Sequence, residues 1–579
     1  MTDISTPRPE YPRPQLARAQ WLNLNGRWGF GFDPGRSGVA RGLPQAERLD
    51  GEIVVPFCPE SALSGIGDID FHPGVWYRRD FTVPPSWEGQ RILLHIGAAD
   101  HDTIVWVNGV EVARHSGGYT PFSADITEAL RRGENLLVIA CEDDTRSPWV
   151  AGGKQCPDYF SRRCHYTRTT GIWQTVWLEP VPQSYIKELR LTPDLESAQV
   201  MVEVELGGQP AQGTLSAQAA LDDVAVGQAS APCSGRRAQL ILPLRHAQAW
   251  VPGAPVLYDL RLTLDANTGH DVVNSYFGLR SIALTERAIL FNGKPLFQRL
   301  VLDQGYYPDG IYTAPDDGAL RDDVVLSQRL GFNGARLHQK VFEPRFLYWA
   351  DRLGYLVWGE FPNWGLDVSD PQALAVVLPQ WLEALRRDRN HPSLVGWCPF
   401  NETQRDQDPG VLRSIYRATK LTDPSRPVID TSGYQHVETD IYDVHSYEQD
   451  PAAFAALFAA LAEGGEPFRN RPDLDAPYAG QPYFVSEYGG IWWNPGQQDE
   501  EGWGYGGVEG RPRSTDEFLA RYRALTETLL NHPRICAFCY TQLYDIEQEV
   551  NGLYTYDRRP KFDPELIRRI NTQPAAIES

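Results

Sequence analysis

Leu394-Val395-Gly396-Trp397-Cys398-Pro399-Phe400-Asn401-Glu402 is an apolar run that delivers an Asn-Glu pair, and Pro482-Tyr483-Phe484-Val485-Ser486 delivers Glu487 in the same way. Each run reads as a buried strand with a glutamate at its C-terminal end. A carboxylate at the end of an apolar strand is costly unless it is paired, bonded or used, so two of them point to a site rather than a surface. Two carboxylates facing one bond are the minimum apparatus for hydrolysing a glycoside.

Around these runs, strand-like segments alternate with longer helical patterns at 316–330 and 373–389, the rhythm of a parallel β/α fold. Strands are expected at 297–302, 334–337, 355–358, 394–400, 427–430, 442–445, 483–486 and 535–540. Eight in that length is the count of a (β/α)8 TIM barrel, whose chemistry sits at the C-terminal ends of the strands. Upstream the pattern is all β. The runs 91–96 and 103–107 lie among Gly, Pro and Asp turns, and Asn108-Gly109 after an apolar strand is a strong hairpin signal. A second all-β stretch carries the runs 199–206 and 256–264, and about 100 residues suits an immunoglobulin-like β-sandwich. The expected domains are 1–181, 182–283 and 284–579.

Composition narrows the function. The chain has 579 residues, 17 Trp and a net charge of −21. That balance argues against binding a phosphate backbone, so no nucleic-acid partner is expected. No basic region precedes an apolar one at the start, and no long apolar run follows, so the reading is cytoplasmic, with no membrane partner. The eight cysteines are scattered, as reduced thiols would be, and Cys536-Ala537-Phe538-Cys539 has no second pair to complete a zinc site. His436, His445, Asp440 and Asp443 match no ligand spacing, so neither metal nor cofactor is expected.

The flanks of the first glutamate add a resemblance. Arg389-Asn390-His391-Pro392-Ser393, then Trp397 and Asn401-Glu402, resembles the acid/base signature of glycoside hydrolase family 2, the family of β-galactosidases, β-glucuronidases and β-mannosidases. Trp76-Tyr77-Arg78-Arg79-Asp80-Phe81, Val107-Asn108-Gly109, Gly117-Gly118-Tyr119-Thr120-Pro121-Phe122 and Thr170-Gly171-Ile172-Trp173-Gln174 resemble that family's N-terminal sugar-binding domain. The resemblance implies that the first sandwich is a jelly roll. Two residues depart from the pattern, Gly396 at an aliphatic position and Cys398 at a small Gly or Ser position, and both bear on the shape of the pocket.

The resemblance also implies roles. Glu402 would be the acid/base, held protonated by burial and by the charge of Glu487. Glu487 would be the nucleophile, kept ionised by Arg336 and Tyr447, and Asn401 would bond the sugar 2-hydroxyl. Such a retaining pair lies about 5 to 5.5 Å apart. His338, Asp303, Trp364 and Trp492 end strands or follow them at the same face, as do Gln304, Gln339, Glu360 and Trp493. They either touch sugar or bond and pack loops. Tyr540, Gln542, Asp545 and Glu547 are candidates for the outer wall, and Trp149 and Asp158 lie in a first-domain loop that in the family can reach the barrel.

Uronide-cleaving relatives carry an Asn-x-Lys element after the nucleophile, and 491–513 has none, although Arg511 or Arg513 can substitute. The expected activity is therefore exo-hydrolysis of a carbohydrate substrate with a neutral terminal sugar, most simply a β-galactoside. β-Glucuronide or galacturonide is the alternative, and mannoside, arabinoside and rhamnoside specificities also occur in the family. A reading of another class is a non-catalytic carbohydrate-binding protein that keeps the barrel as scaffold. A homo-oligomer is compatible with all of these.

Overall fold

The computed structural model describes residues 6–495 and 502–578, so residues 1–5 of the leader reading and part of the 491–513 stretch lie outside the described residues. The first domain is a sandwich of a six-stranded and a four-stranded antiparallel sheet. In its hairpin, Asp102–Val107 pairs with Val110–Ser116 across Asn108 (φ 52°) and Gly109 (φ 81°), the left-handed pair that matches strand twist. The second domain is a three-on-four sandwich, and its strand Arg237–Pro243 alternates exposed and buried residues throughout. A single core fills the space between its sheets.

The third domain is the expected barrel. Seven parallel strands are hydrogen-bonded in the order Leu394–Cys398, Leu356–Glu360, Gly334–Leu337, Gln298–Asp303, Ile535–Thr541, Tyr483–Gly489, Tyr442–Ser446. The helices Asp317–Arg329 and Ala373–Asp388 fall where the periodicity places them. The fifth strand needs correction. The run 427–430 contributes one bridge, Trp397 to Val428, and the regular strand is only Thr431–Ser432, paired with Phe400–Asn401. Among the described residues no ladder joins it to Tyr442–Ser446. The Ser432 hydroxyl (2.8 Å) and the Gly433 N–H (3.0 Å) donate to Asp443 instead. Side chains replace backbone bonding there because Asp430 and Asp443 occupy the backbone and side-chain donors of 431–438.

Both departures beside the Asn-Glu pair are absorbed below the mouth. A Cβ on Gly396 would lie 2.3 Å from the Trp358 ring, so the glycine makes room for a buried tryptophan, whose indole donates to Gln298 at 2.8 Å. Cys398 packs in the same interior core. The preceding motif is a domain joint. Asn390 accepts from the Leu191 N–H and donates to the Leu189 carbonyl of the second sandwich, while His391 pairs with Asp351, which also accepts from Tyr276.

Residues 6–18 stay outside the first sandwich's core and run along all three domains. Arg8 is buried against Glu343 of the barrel at 2.9 Å, and Arg18 bonds Glu179 of the first domain and Asp271 of the second. Removing one partner of such a buried pair costs about 3–5 kcal/mol.

Candidate active site

Strand geometry alone brings the polar groups together. Because the sheet is parallel, residues ending neighbouring strands project into one mouth. Arg336 ends the second strand, Glu360 the third, Asn401 and Glu402 follow the fourth, His445 and Tyr447 the sixth, and Glu487 ends the run 483–487 on the seventh.

Glu487 is caged. Arg336 reaches one of its oxygens at 3.2 Å and the Tyr447 hydroxyl donates to the other at 2.5 Å, with His338 Nε2 3.9 Å away. Arg336 is fully buried. Burial alone would discharge it, but Glu360 at 2.6 Å and Glu487 keep it firmly charged. Tyr447 is held in turn by the Tyr505 ring, stacked at 3.4 Å and 2°. A Cβ on Gly490 (φ 57°) would lie 2.3 Å from Tyr505 and 3.0 Å from Tyr447, so only glycine fits beside them.

Glu402 sits differently. Its side chain is 15% exposed, and its backbone is in the left-handed region (φ 46°), a strained conformation for a side-chain-bearing residue of the kind found at functional sites. Its carboxylate bonds His445 Nδ1 at 2.8 Å, and His445 lies 3.4 Å from Glu487. This corrects the expected protonation. Burial pushes the Glu402 carboxyl up, but the hydrogen bond and charge of His445, with the Lys154 charge behind them, bring it below its ordinary value. Burial depresses His445, and the charges of Glu487 and Glu402 more than reverse it, leaving the imidazole above its usual range. The resting proton belongs to His445. Its Nε2 continues to Ser432 at 3.0 Å and thence to Asp443 at 2.8 Å.

Asn401 has one free function. Arg336, which can only donate, fixes its Oδ1 as acceptor at 3.1 Å, and the amide nitrogen is buried without a partner among the described residues. That leaves an N–H donor between the carboxylates, where a sugar hydroxyl would lie. Trp364 forms a wall beside it, its indole donating to the Asn401 carbonyl at 3.1 Å.

The other expected contacts divide. His338 is buried against Glu360 at 3.0 Å and is held neutral by burial first and Lys154 second, so it braces the cage. Asp303 is turned to the loops, accepting from Tyr544 (2.6 Å) and the Gly305 N–H (3.0 Å), because the loop after the first strand has no other acceptor there; burial and Asp323 raise it to about 6. Trp492 is buried with Arg511 5.1 Å above its ring, and Gly504 backs it, so it packs its own loop rather than touching the carboxylates. Asp158 pairs with Arg162 at the surface and Trp149 is half-exposed. Asp545 is tied to Lys561 at 2.7 Å, and Glu547 accepts from the Thr167 N–H.

The first domain does reach the mouth, through other residues. Tyr166 bonds Glu549 on the barrel and accepts from Gln304 at 2.7 Å, while Lys154 lies over the Trp364 ring at 3.7 Å. Glu549 is also held by Asn551 at 2.9 Å, and burial lifts it to about 7 against the pull of Lys154. The family-like motifs explain the placement: Trp173 donates to the Gly118 carbonyl, Tyr119 to the Gly152 carbonyl, and Gly171 lies under Tyr77. Glu549 was signalled only by its position after the last strand, and Lys154 by nothing local.

Glu402, His445 and Glu487 each offer an atom within 4.8 Å of the others, the one such trio among the described residues. A cation there would take up both carboxylates. The same spacing falls short of the roughly 6.5–9.5 Å that admits water between an inverting pair, and it suits a retaining one.

A parallel barrel with one caged carboxylate and one proton-exchanging carboxylate at its C-terminal mouth is the frame of a glycoside hydrolase. Family models described as the sugar binding domain of glycosyl hydrolases family 2, glycosyl hydrolases family 2, and the TIM barrel domain of that family match residues 67–181, 184–280 and 282–501. The chain belongs to glycosyl hydrolase family 2. Its curated relatives include a β-glucuronidase of Canis lupus familiaris, 28% identical over 466 residues (73% of this chain, 70% of that protein). Another, from Paenibacillus borealis, is 27% identical over 460 residues (72% and 74%). Ruminococcus gnavus β-glucuronidase in complex with D-glucuronic acid shares the fold at TM-score 0.79 and 18% identity, over 98% of this chain and all of that one. No helix among the described residues is long and apolar enough to cross a membrane.

Proposed function

We propose that the chain releases single terminal sugars from β-glycosides with retention of configuration, and that β-glucuronides are its substrates. Glu487 attacks the anomeric carbon while a proton passes through Glu402 to the leaving oxygen, and Glu402 then activates the water that frees the enzyme. The observation that carries this reading is the pairing of two carboxylates, one held by fixed donors and the other by an exchangeable histidine, at retaining distance. Loop contacts from the first domain along the mouth support attack at a chain end. The curated β-glucuronidases support the uronide over the β-galactoside expected from sequence.

A neutral β-galactoside stays as second reading on a specific observation. Glu549 presents a further buried carboxyl near Glu487, and 491–513 lacks an Asn-x-Lys pair. The test is hydrolysis of 4-nitrophenyl β-D-glucuronide and β-D-galactoside by wild type and Glu487→Gln, with proton NMR of the first-formed anomer. Glucuronide cleavage yielding the β-anomer and lost in the variant is expected. Cleavage of the galactoside alone transfers the assignment to the second reading, and a first-formed α-anomer rejects retention.

A further inference from the structure

The loop 143–170 places one cation that neither the fold nor the hydrolytic step uses. Lys154 is 5% exposed, and among the described residues no oxygen lies within hydrogen-bond or ion-pair reach of its ammonium; its one close partner is the face of Trp364. An ammonium taken out of water without acceptors is unfavourable, and a single cation–π contact offsets part of that cost.

Its position is nonetheless built. Gly152 and Gly153 both donate to the Trp364 carbonyl, at 2.9 and 3.1 Å. Gly153 (φ 56°) passes so close to the barrel that a Cβ would lie 2.3 Å from the Gln339 carbonyl. The Lys154 carbonyl accepts from the Tyr166 N–H at 2.8 Å, and Gln155 is anchored to Asp100 and Thr169. The backbone is thus clamped on both sides of a side chain left without an acceptor. Its charge is felt by Glu402, His338 and Glu549, which surround the mouth.

We infer that Lys154, contributed by the sugar-binding domain, is the specificity residue that receives a substrate carboxylate, in place of an Asn-x-Lys element on the barrel. The inference rests on the proposed site and names its acidic-substrate preference. The carboxylate can come from the terminal sugar, as in a uronide, or from the group next to it. Either one supplies the acceptor oxygens that the ammonium lacks, as a charge-assisted hydrogen bond.

The test uses the full chain with Lys154→Met, which keeps length and loses charge, and Lys154→Arg, which keeps charge. Substrates are 4-nitrophenyl β-D-glucuronide, 4-nitrophenyl β-D-glucoside and β-D-galactoside, and 3-carboxy-4-nitrophenyl forms of the neutral sugars. Loss of the charge is expected to lower kcat/KM about 100-fold on an acidic substrate and by less than about 3-fold on neutral ones, mainly through KM. Lys154→Arg should recover most of it. Tm should hold or rise in Lys154→Met, because no protein group loses a partner. Loss on the glucuronide locates the carboxylate on the sugar, and loss only on the carboxyphenyl glycosides locates it beyond the bond. Parallel loss on neutral and acidic substrates, or no loss on either, overturns the proposal. If wild type cleaves neutral glycosides but not the glucuronide, the uronide reading fails while the carboxyphenyl arm still decides Lys154. If nothing is cleaved, calorimetric titration of wild type and Lys154→Met with D-glucuronate and D-glucose replaces kinetics, and equal affinities overturn the inference.

Discussion

The surroundings of the two glutamates differ in a way that their sequence contexts do not. Glu487 is held by a guanidinium and a phenol, groups that stay protonated through the working range and that are themselves locked by Glu360 and Tyr505. Glu402 is held by an imidazole that can lose its proton. One site fixes a charge, and the other trades a proton. A retaining hydrolase needs both behaviours within a few ångströms, and here the difference comes from what ends the neighbouring strands.

Removing the fixed charge should give the largest effect. Glu487→Gln is expected to lower kcat by roughly 10⁴-fold or more on every substrate, because the covalent route disappears. Residual turnover within 10-fold of wild type would break the assignment. Glu402→Gln should cost about 10²–10⁴-fold on a poor leaving group and much less on 2,4-dinitrophenyl glycosides, which need no proton. Equal losses on both would remove Glu402 as the acid. Tyr447→Phe deletes one hydrogen bond to a charged acceptor, worth about 1.5–3 kcal/mol, so kcat should fall about 10- to 100-fold. An unchanged kcat would show that Arg336 suffices for the cage.

The smallest effect tests the proton exchange. With His445 raised and Glu402 lowered, their shared proton is present from the Glu402 value up to the His445 value, so the alkaline limb of kcat/KM should lie above the ordinary histidine value of 6.5. In His445→Asn that limb should fall by about one pH unit. A limb that stays put would mean Glu402 titrates alone. For stability the signs are opposite. The raised His445 contributes below 6.5 and loses its contribution as pH rises through its folded value, while the lowered Glu402 contributes above its ordinary value and loses its contribution as pH falls.

Much of the barrel site was legible because a strand's last residue is a position that both sequence and fold define. Apolar runs located the second, fourth, sixth and seventh strands, and so put Arg336, Asn401, Glu402, Tyr447 and Glu487 into one mouth. Asp303 met the same rule and yet turned to Tyr544, since a strand end fixes where a side chain starts and not which neighbour it finds. The fifth strand failed because side chains of Asp430 and Asp443 replace the ladder that an apolar run would suggest. The exchange between His445 and Glu402 depends on a 2.8 Å contact between two strand ends, and periodicity carries no distances. Lys154 was illegible for a simpler reason. Its neighbours in the chain are an irregular loop, and its neighbour in space, Trp364, is in another domain.

The segment 6–18 fixes an order of events. Arg8 finds its partner Glu343 after 335 further residues have been made. Both sandwiches can acquire their cores on the ribosome while the barrel is still incomplete. The strap that binds the sandwiches to the barrel therefore closes last, as a latch on finished parts rather than as a nucleus for them.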